Sequence, residues 1–308
     1  MDWLLILLTV AGLSVFEMVS SIDNAIINAD VLATMGEKAR GWFLFWGLIV
    51  AVFGVRGLLP WLIVWATTPS LGPIGALFAT FSSDPAVVAA IEESAPVLLI
   101  FGGTFLVFLF SHWLFVEEKN FGLQGERFFS RQAVWFYATV SILLAAIVWF
   151  ALQINTMMGF AAVLGSTAFF IVHGFRQNAE VQEARLRQPG ISDLSKVAYL
   201  EVLDATFSID GVIGAFAFTL SVPLILIGNG IGAVVVRELT VRGVDRIRSY
   251  RYLKNGAMYS ILVLGMIMLA DSFGFGIPAW FSPIITFIIV GYFLYRSVQL
   301  QERDAGAA

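Results

Sequence analysis

The chain has 308 residues, of which 59% are hydrophobic and only 13% are charged, about half the charged share of a soluble globular protein. A mean hydropathy of +0.86 means that most elements face something other than water, and a bilayer is the available partner. This excludes a soluble enzyme, a nucleic-acid binder and a disordered chain. Zero cysteines and two histidines remove disulfides and thiolate sites and disfavour an imidazole zinc site, so a metal here would be held by oxygen.

At about 20 apolar residues per crossing, nine helices are predicted, near 3–33, 42–66, 96–116, 132–152, 157–175, 197–220, 223–240, 256–272 and 283–297. The first is expected to be retained, since Met1-Asp2-Trp3 has no basic region and the apolar stretch is too long for a cleaved signal. Between the second and third, Asp84-Pro85 joins a capping acid to proline at a first helical position, predicting a short outer helix. Between the fifth and sixth, Asn178 to Arg187 predicts an amphipathic surface helix ended by Pro189-Gly190.

Sixteen of the 18 basic residues fall in the segments after helices 1, 3, 5, 7 and 9, among them Lys38, Lys119, Arg176, Arg187, Arg246, Lys254 and Arg296. The opposite loops hold no Lys or Arg but do hold Asp84, Glu92, Glu93 and Asp271. Basic short loops stay on the cytoplasmic side, which predicts an outer N-terminus and a cytoplasmic C-terminus in a plasma membrane, a bacterial inner membrane being the expectation. The remaining two, Arg56 and Arg237, lie inside helices 2 and 7.

Helices 1 and 6 carry a repeat. Ser21-Ile22-Asp23-Asn24 matches Ser208-Ile209-Asp210-Gly211, and a second carboxylate, Glu17 or Asp204, precedes each aspartate by six residues. An embedded arginine follows each copy, and the third helices share a weaker Gly103-Thr104 and Gly256-Ala257 likeness. Copies five helices apart cross in opposite directions, as in an inverted three-plus-three repeat with its binding site near the midplane. The expected architecture is all-α, one membrane domain over 1–308: repeat A near 3–116, inserted helices near 132–175, repeat B near 197–272 and a last helix near 283–297. Six helical residues span about 9 Å and about 120° of arc, too far for Glu17 and Asp23 to share a ligand readily. Broken helices 1 and 6, with unwound carbonyls beside the carboxylates, are therefore expected.

Each ionisable side chain within a span costs about 2.5 to 3.5 kcal/mol on insertion scales, so Glu17, Asp23, Asp204 and Asp210 call for a role. Pairing with Arg56 and Arg237 for helix packing alone is the bland reading. Counted together, the six groups leave a surplus of two negative charges, which suits one divalent cation. Ser21, Ser208 and Asn24 are further oxygen candidates or interhelical hydrogen-bonding groups. Arg56 is a partner for the carboxylates or a charge that fills the site in another state, whereas Arg237 is near enough to the inner face to snorkel. Glu201 is a vestibule residue, a proton acceptor or an interfacial acid. His112 and His173 read as interfacial, Met18 and Met258 as packing, and Asp271 as solvated surface.

The pattern Glu17-xxx-Ser21-Ile22-Asp23-Asn24-Ala25, with Glu201-xx-Asp204-xx-Phe207-Ser208-Ile209-Asp210, resembles the TerC family of integral membrane proteins, in particular its TerC-related branch. The resemblance covers the membrane region. It implies the LysE-like transporter grouping and metal-ion export, manganese being the usual assignment, with Glu17, Asp23, Asn24, Asp204 and Asp210 as implied cation-site residues and Arg56 as the embedded arginine. Gly211 departs from the serine of many TerC members. The resulting expectation is a secondary transporter, not an enzyme, exporting Mn²⁺, with Ca²⁺ or Mg²⁺ as alternatives that ligand type alone does not separate. The expected partners are the metal substrate and the lipid bilayer, with no nucleic acid and no bound cofactor. An amino-acid or organic-cation exporter is the alternative; an intramembrane aspartyl hydrolase is a weaker one, since neither Asp23 nor Asp210 has a presenilin-like setting.

Overall fold

The computed structural model describes residues 3–47, 49–79, 84–117, 122–186, 191–242 and 249–307, and among them there is no β-strand. Lys119, Arg187, Pro189, Gly190, Arg246 and Arg248 lie outside these residues. Helix α1 (Trp3–Ser20) is followed after one residue by α2 (Ile22–Leu32). The second crossing starts as α3 (Glu37–Trp42), widens into π-type turns at Phe43–Gly47 and Val50–Val55, and resumes as α4 (Arg56–Thr67). Then come α5 (Gly72–Phe78), α6 (Pro85–Phe115), α7 (Gln124–Ser130), α8 (Phe136–Leu152), α9 (Thr156–Leu186), α10 (Asp193–Ala215), α11 (Val222–Arg242), α12 (Leu253–Ser272) and α13 (Phe281–Ala307).

Eight of the described helical segments are long and apolar enough to cross a membrane, and the protein is an all-helical polytopic membrane protein. The segment around α10 stands apart because Asp193, Lys196, Glu201, Asp204 and Asp210 fall within its 23 residues. Lipid-facing surfaces are apolar, and tryptophans project from helix ends at Trp3, Trp42, Trp135 and Trp280, as expected of headgroup-level anchors.

Several boundaries differ from expectation for local reasons. Asp84 caps α6 by accepting from the Ala86 amide at 2.9 Å, as its sequence predicts. The helix it starts does not stop before the span, however, but runs through Pro96 as one 31-residue element. Likewise the expected surface helix from Asn178 is a continuation of α9.

The break expected in helix 1 is a single residue. Ser21 has φ −92° and ψ 7°, while Ser21 N still donates to Glu17 O at 3.1 Å and Ala25 N to Ser21 O at 2.9 Å. The carbonyls on either side thus stay within the helical ladder, and no unwound stretch forms. Helix 6 is not broken at its motif: α10 passes through Asp204, Ser208 and Asp210 and ends at Ala215. The two acids of each copy take different partners instead of converging on one ligand, so no unwinding is needed.

The packing has an exchanged pattern. Helix α1 lies along α11, α10 lies against α4 and the wide turns, and α6 lies along α12. Helices α8 and α9 flank α6, and α13 covers α12 and α1. Because lipid tails are as apolar as leucine, these contacts depend on close van der Waals fit, for which small residues are needed. A Cβ on Gly232 would stand 2.6 Å from Glu17 Cβ, and one on Gly228 2.5 Å from Leu13 Cβ, so α11 meets α1 through glycine. Leu13, Phe16, Phe105, Val212, Ile213 and Leu264 fill the centre of the bundle.

Two sets of loops are each tied together. At one end Lys196 Nζ meets Thr34 Oγ1 at 2.9 Å, Lys254 Nζ meets Glu117 at 2.6 Å, and the Tyr252 amide meets Ser297 Oγ at 3.0 Å. At the other, Thr68 and Ser94 hydroxyls are 2.6 Å apart and Ser282 Oγ donates to Ala217 O at 2.6 Å. The glycine seam is tested by Gly228→Val, whose side chain would overlap Leu13. It should destabilise the protein by about 1–3 kcal/mol, read as a lowered melting temperature in detergent micelles, whereas Gly41→Ala, with open space around it, should leave the temperature unchanged.

Candidate functional site

The candidate site is a buried charge cluster where α1, α2, α4, α10 and α11 meet. Glu17 is 0% exposed and Arg56 is 2% exposed. Arg56 donates to Glu17 Oε1 from Nε at 2.9 Å and from Nη2 at 2.6 Å, while its Nη1 faces Asp204 Oδ2 at 3.6 Å. Ser21 Oγ adds a hydrogen bond to the same Glu17 oxygen at 2.9 Å. Asn24 Nδ2 donates to Asp204 Oδ1 at 2.5 Å, linking the two motifs directly.

Arg237 completes the cluster rather than snorkelling. It is buried, lies 3.9 Å from Asp204 Oδ2, donates from Nη1 to Phe43 O at 2.6 Å, and stacks over the Phe43 ring. The wide turns that contain Phe43 bring this carbonyl to α11, and π-type turns recur at functional positions. Asn24, Asn28, Ala51, Asp204, Arg237 and Thr240 border a small cavity of about 20 Å³, enough for one water molecule.

The other motif acids lie apart from this cavity. Asp210 is buried and paired with Arg176, whose guanidinium also covers the Phe207 ring at 4.8 Å. Asp23 points away from Glu17: its side chain is 41% exposed and meets Lys254 Nζ at 2.9 Å. Ser208 gives its hydroxyl back to Asp204 O at 2.5 Å, within its own helix. Among the described residues no three His, Asp or Glu side chains are grouped so as to hold a metal ion.

The expected surplus of two negative charges is reduced by partners outside the six groups. Arg176 and Lys254, placed by sequence among the loop residues, pair with Asp210 and Asp23, and Lys254 is shared with Glu117, while Arg56 and Arg237 serve Glu17 and Asp204. Not every oxygen is satisfied, however. Glu17 Oε2 and Asp210 Oδ1 are buried without a hydrogen-bond partner among the described residues. Glu17 Oε2 abuts Gly211, where an added Cβ would overlap it, so a position with no side chain faces this bare oxygen.

Sequence reasoning missed Arg176, Lys254, Asn28, Thr240 and Asn229. Asn28 is one turn beyond Asn24, and Thr240 one turn beyond Arg237, so helical spacing was a usable signal for both. Asn229 is 0% exposed with neither side-chain polar atom partnered. It precedes Arg237 by eight residues, on the same face of α11. Of the two histidines, the rings of His112 and His173 lie 3.9 Å apart between α6 and α9.

Residues 22–304 match the family described as Protein of unknown function (DUF475). The chain belongs to the DUF475 family. No curated protein and no solved structure matches it. The DUF475 match begins at α2 and takes in Asn24, Arg56, Asp204, Asp210 and Arg237, while Glu17 and Ser21 precede it.

Removing one member of a buried ion pair strands the other, at a cost of about 3–5 kcal/mol. Arg56→Ala should therefore sharply lower the yield of monodisperse protein on size-exclusion chromatography. The double variant with Glu17→Gln should recover much of it, because the stranded charge is removed.

Proposed function

We propose that this protein is a secondary transporter of a hard divalent cation, Mn²⁺ first, working by alternating access across a membrane. The observation that carries the reading is Glu17 Oε2, which abuts Gly211 with no hydrogen-bond partner among the described residues, as Asp210 Oδ1 of the other motif likewise has none. A buried carboxylate oxygen without a donor is costly, and a cation bound by oxygen ligands would satisfy it. In the state described, Arg56 acts as the built-in counter-cation of Glu17 and Asp204. Substrate would compete with a guanidinium already present, which links binding to a shift of α4 relative to α1 and α10.

The exchanged packing supports an inverted repeat. The first helix of each copy packs on the second helix of the other, and the third helices pack together. Equivalent residues also have reciprocal neighbours: Asn24 donates to Asp204, and Gly211, in the Asn24 position, abuts Glu17. Helix α10 then makes the ninth crossing, its charges facing protein rather than lipid. The resemblance to the TerC family supports metal as the cargo.

Two experiments test this reading. Under manganese stress, cells making the wild-type protein should hold several-fold less Mn than cells making equal amounts of Glu17→Gln or Asp210→Asn; equal metal contents would overturn the proposal. Orientation is tested on the naturally cysteine-free chain. Ser70→Cys should react with an impermeant maleimide in intact cells, and Ser249→Cys only after permeabilisation.

A further inference from the structure

Glu201 lies one turn before Asp204 on α10, and both its carboxylate oxygens are buried without a hydrogen-bond partner among the described residues. Its seat is made by Gly47, at the end of the first wide turn: a Cβ there would overlap Glu201 Oε1 and stand 3.0 Å from Arg237 Nη1. The acid and the guanidinium thus meet across one glycine, yet Arg237 gives Nη1 to Phe43 O and turns Nη2 toward Asp204. The charged groups around the seat are Arg237 from α11 and Asp204 on the same helix, with Arg56 from α4 beyond Asp204. Lys196, earlier on α10, is engaged by Thr34. A buried carboxyl with no donor is far better tolerated as the neutral acid than as the anion.

We propose that Glu201 exchanges a proton for the transported cation. While Arg56 and Arg237 attend Glu17 and Asp204, Glu201 is the carboxylic acid. A cation arriving at Glu17 and Asp210 adds positive charge to the cluster, and the Glu201 O–H bond breaks, releasing a proton to the inner side. When the cation leaves outward, the carboxylate takes a proton from the outer side. One O–H bond breaks and one forms per cycle, so each cation exported admits one proton at this residue and no other reactant is consumed. The inference rests on the transport reading, which does not require it in return, since a cation can move down its own gradient without a proton.

The test uses the full chain in liposomes containing a pH-sensitive dye, at zero membrane potential, with Mn²⁺ as the probe. Wild-type Mn²⁺ movement should carry protons the opposite way, and one pH unit of gradient should shift the steady-state Mn²⁺ distribution about tenfold per proton. Glu201→Gln should retain Mn²⁺/Mn²⁺ exchange but lose proton movement and the response to the gradient. Gly47→Ala, which displaces the carboxyl from its seat, should weaken the same coupling. Coupling unchanged in Glu201→Gln overturns the inference, as does wild-type Mn²⁺ movement that ignores the pH gradient. Loss of exchange in a Glu201→Gln protein that melts like the wild type also overturns it, by making Glu201 a binding residue. Absence of any wild-type Mn²⁺ movement would instead sink the transport reading itself.

Discussion

The rest of the structure depends on one ion pair, Arg56 with Glu17. A guanidinium 2% exposed inside an apolar bundle must have acceptors for its donors, and Glu17, Asp204 and Ala51 O supply them. These acceptors come from α1, α10 and the wide turns, so the pair fixes how three separate segments meet. The glycines serve the same arrangement. Gly232 lets α11 close on Glu17 from one side and Gly211 lets α10 close on it from another, which excludes water and strengthens the electrostatic contact. Such a pair is poor evidence of stability in itself, because desolvation offsets most of the attraction. Its use is better sought in what it can exchange for.

On the repeat reading, the two halves are alike in layout and unequal in chemistry. Asp204 has Asn24 as donor and two arginines near it, whereas Glu17 has all its partners on Oε1 and none on Oε2. The inequality comes down to one position, Asn24 in one copy and Gly211 in the other. A perfect repeat would close both halves with an amide. Glycine in the second leaves one oxygen bare, and that defect is where a ligand has something to gain.

Much of this was legible in the sequence. The apolar segments locate eight of the nine expected crossings, the repeated tripeptide marks buried polar positions, and two arginines in apolar surroundings announce buried partners. The break at Ser21 was also expected, though its extent was overestimated because Glu17 and Asp23 were assumed to converge. Pairings across long separations were not legible. Asn24 with Asp204 and Arg176 with Asp210 depend on how helices stack, which hydropathy does not encode. Arg176 and Lys254 look like loop charges because they lie where apolar runs end; the continuation of α9 turns Arg176 inward to Asp210, and the start of α12 holds Lys254 beside Asp23 and Glu117 at a half-exposed position.

The charge balance then constrains how such a site could work. Four motif acids face Arg56, Arg237, Arg176 and Lys254, the last shared with Glu117, so little unpaired negative charge is left to draw in a divalent cation, and simple capture by a preformed acidic cage is disfavoured. A cation must displace a guanidinium from a carboxylate or be accompanied by loss of a proton nearby. The first requires α4 to move, because Arg56 is held by its own helix as well as by Glu17, through Nη1 to Ala51 O at 3.3 Å. The wide turns just before Arg56 are of a kind that is rare in helices and recurs at functional positions, which makes them the place in that crossing where such a movement would start. Displacement of Arg56 and opening of the crossing would then be one event, and a static ion pair would become a step in transport.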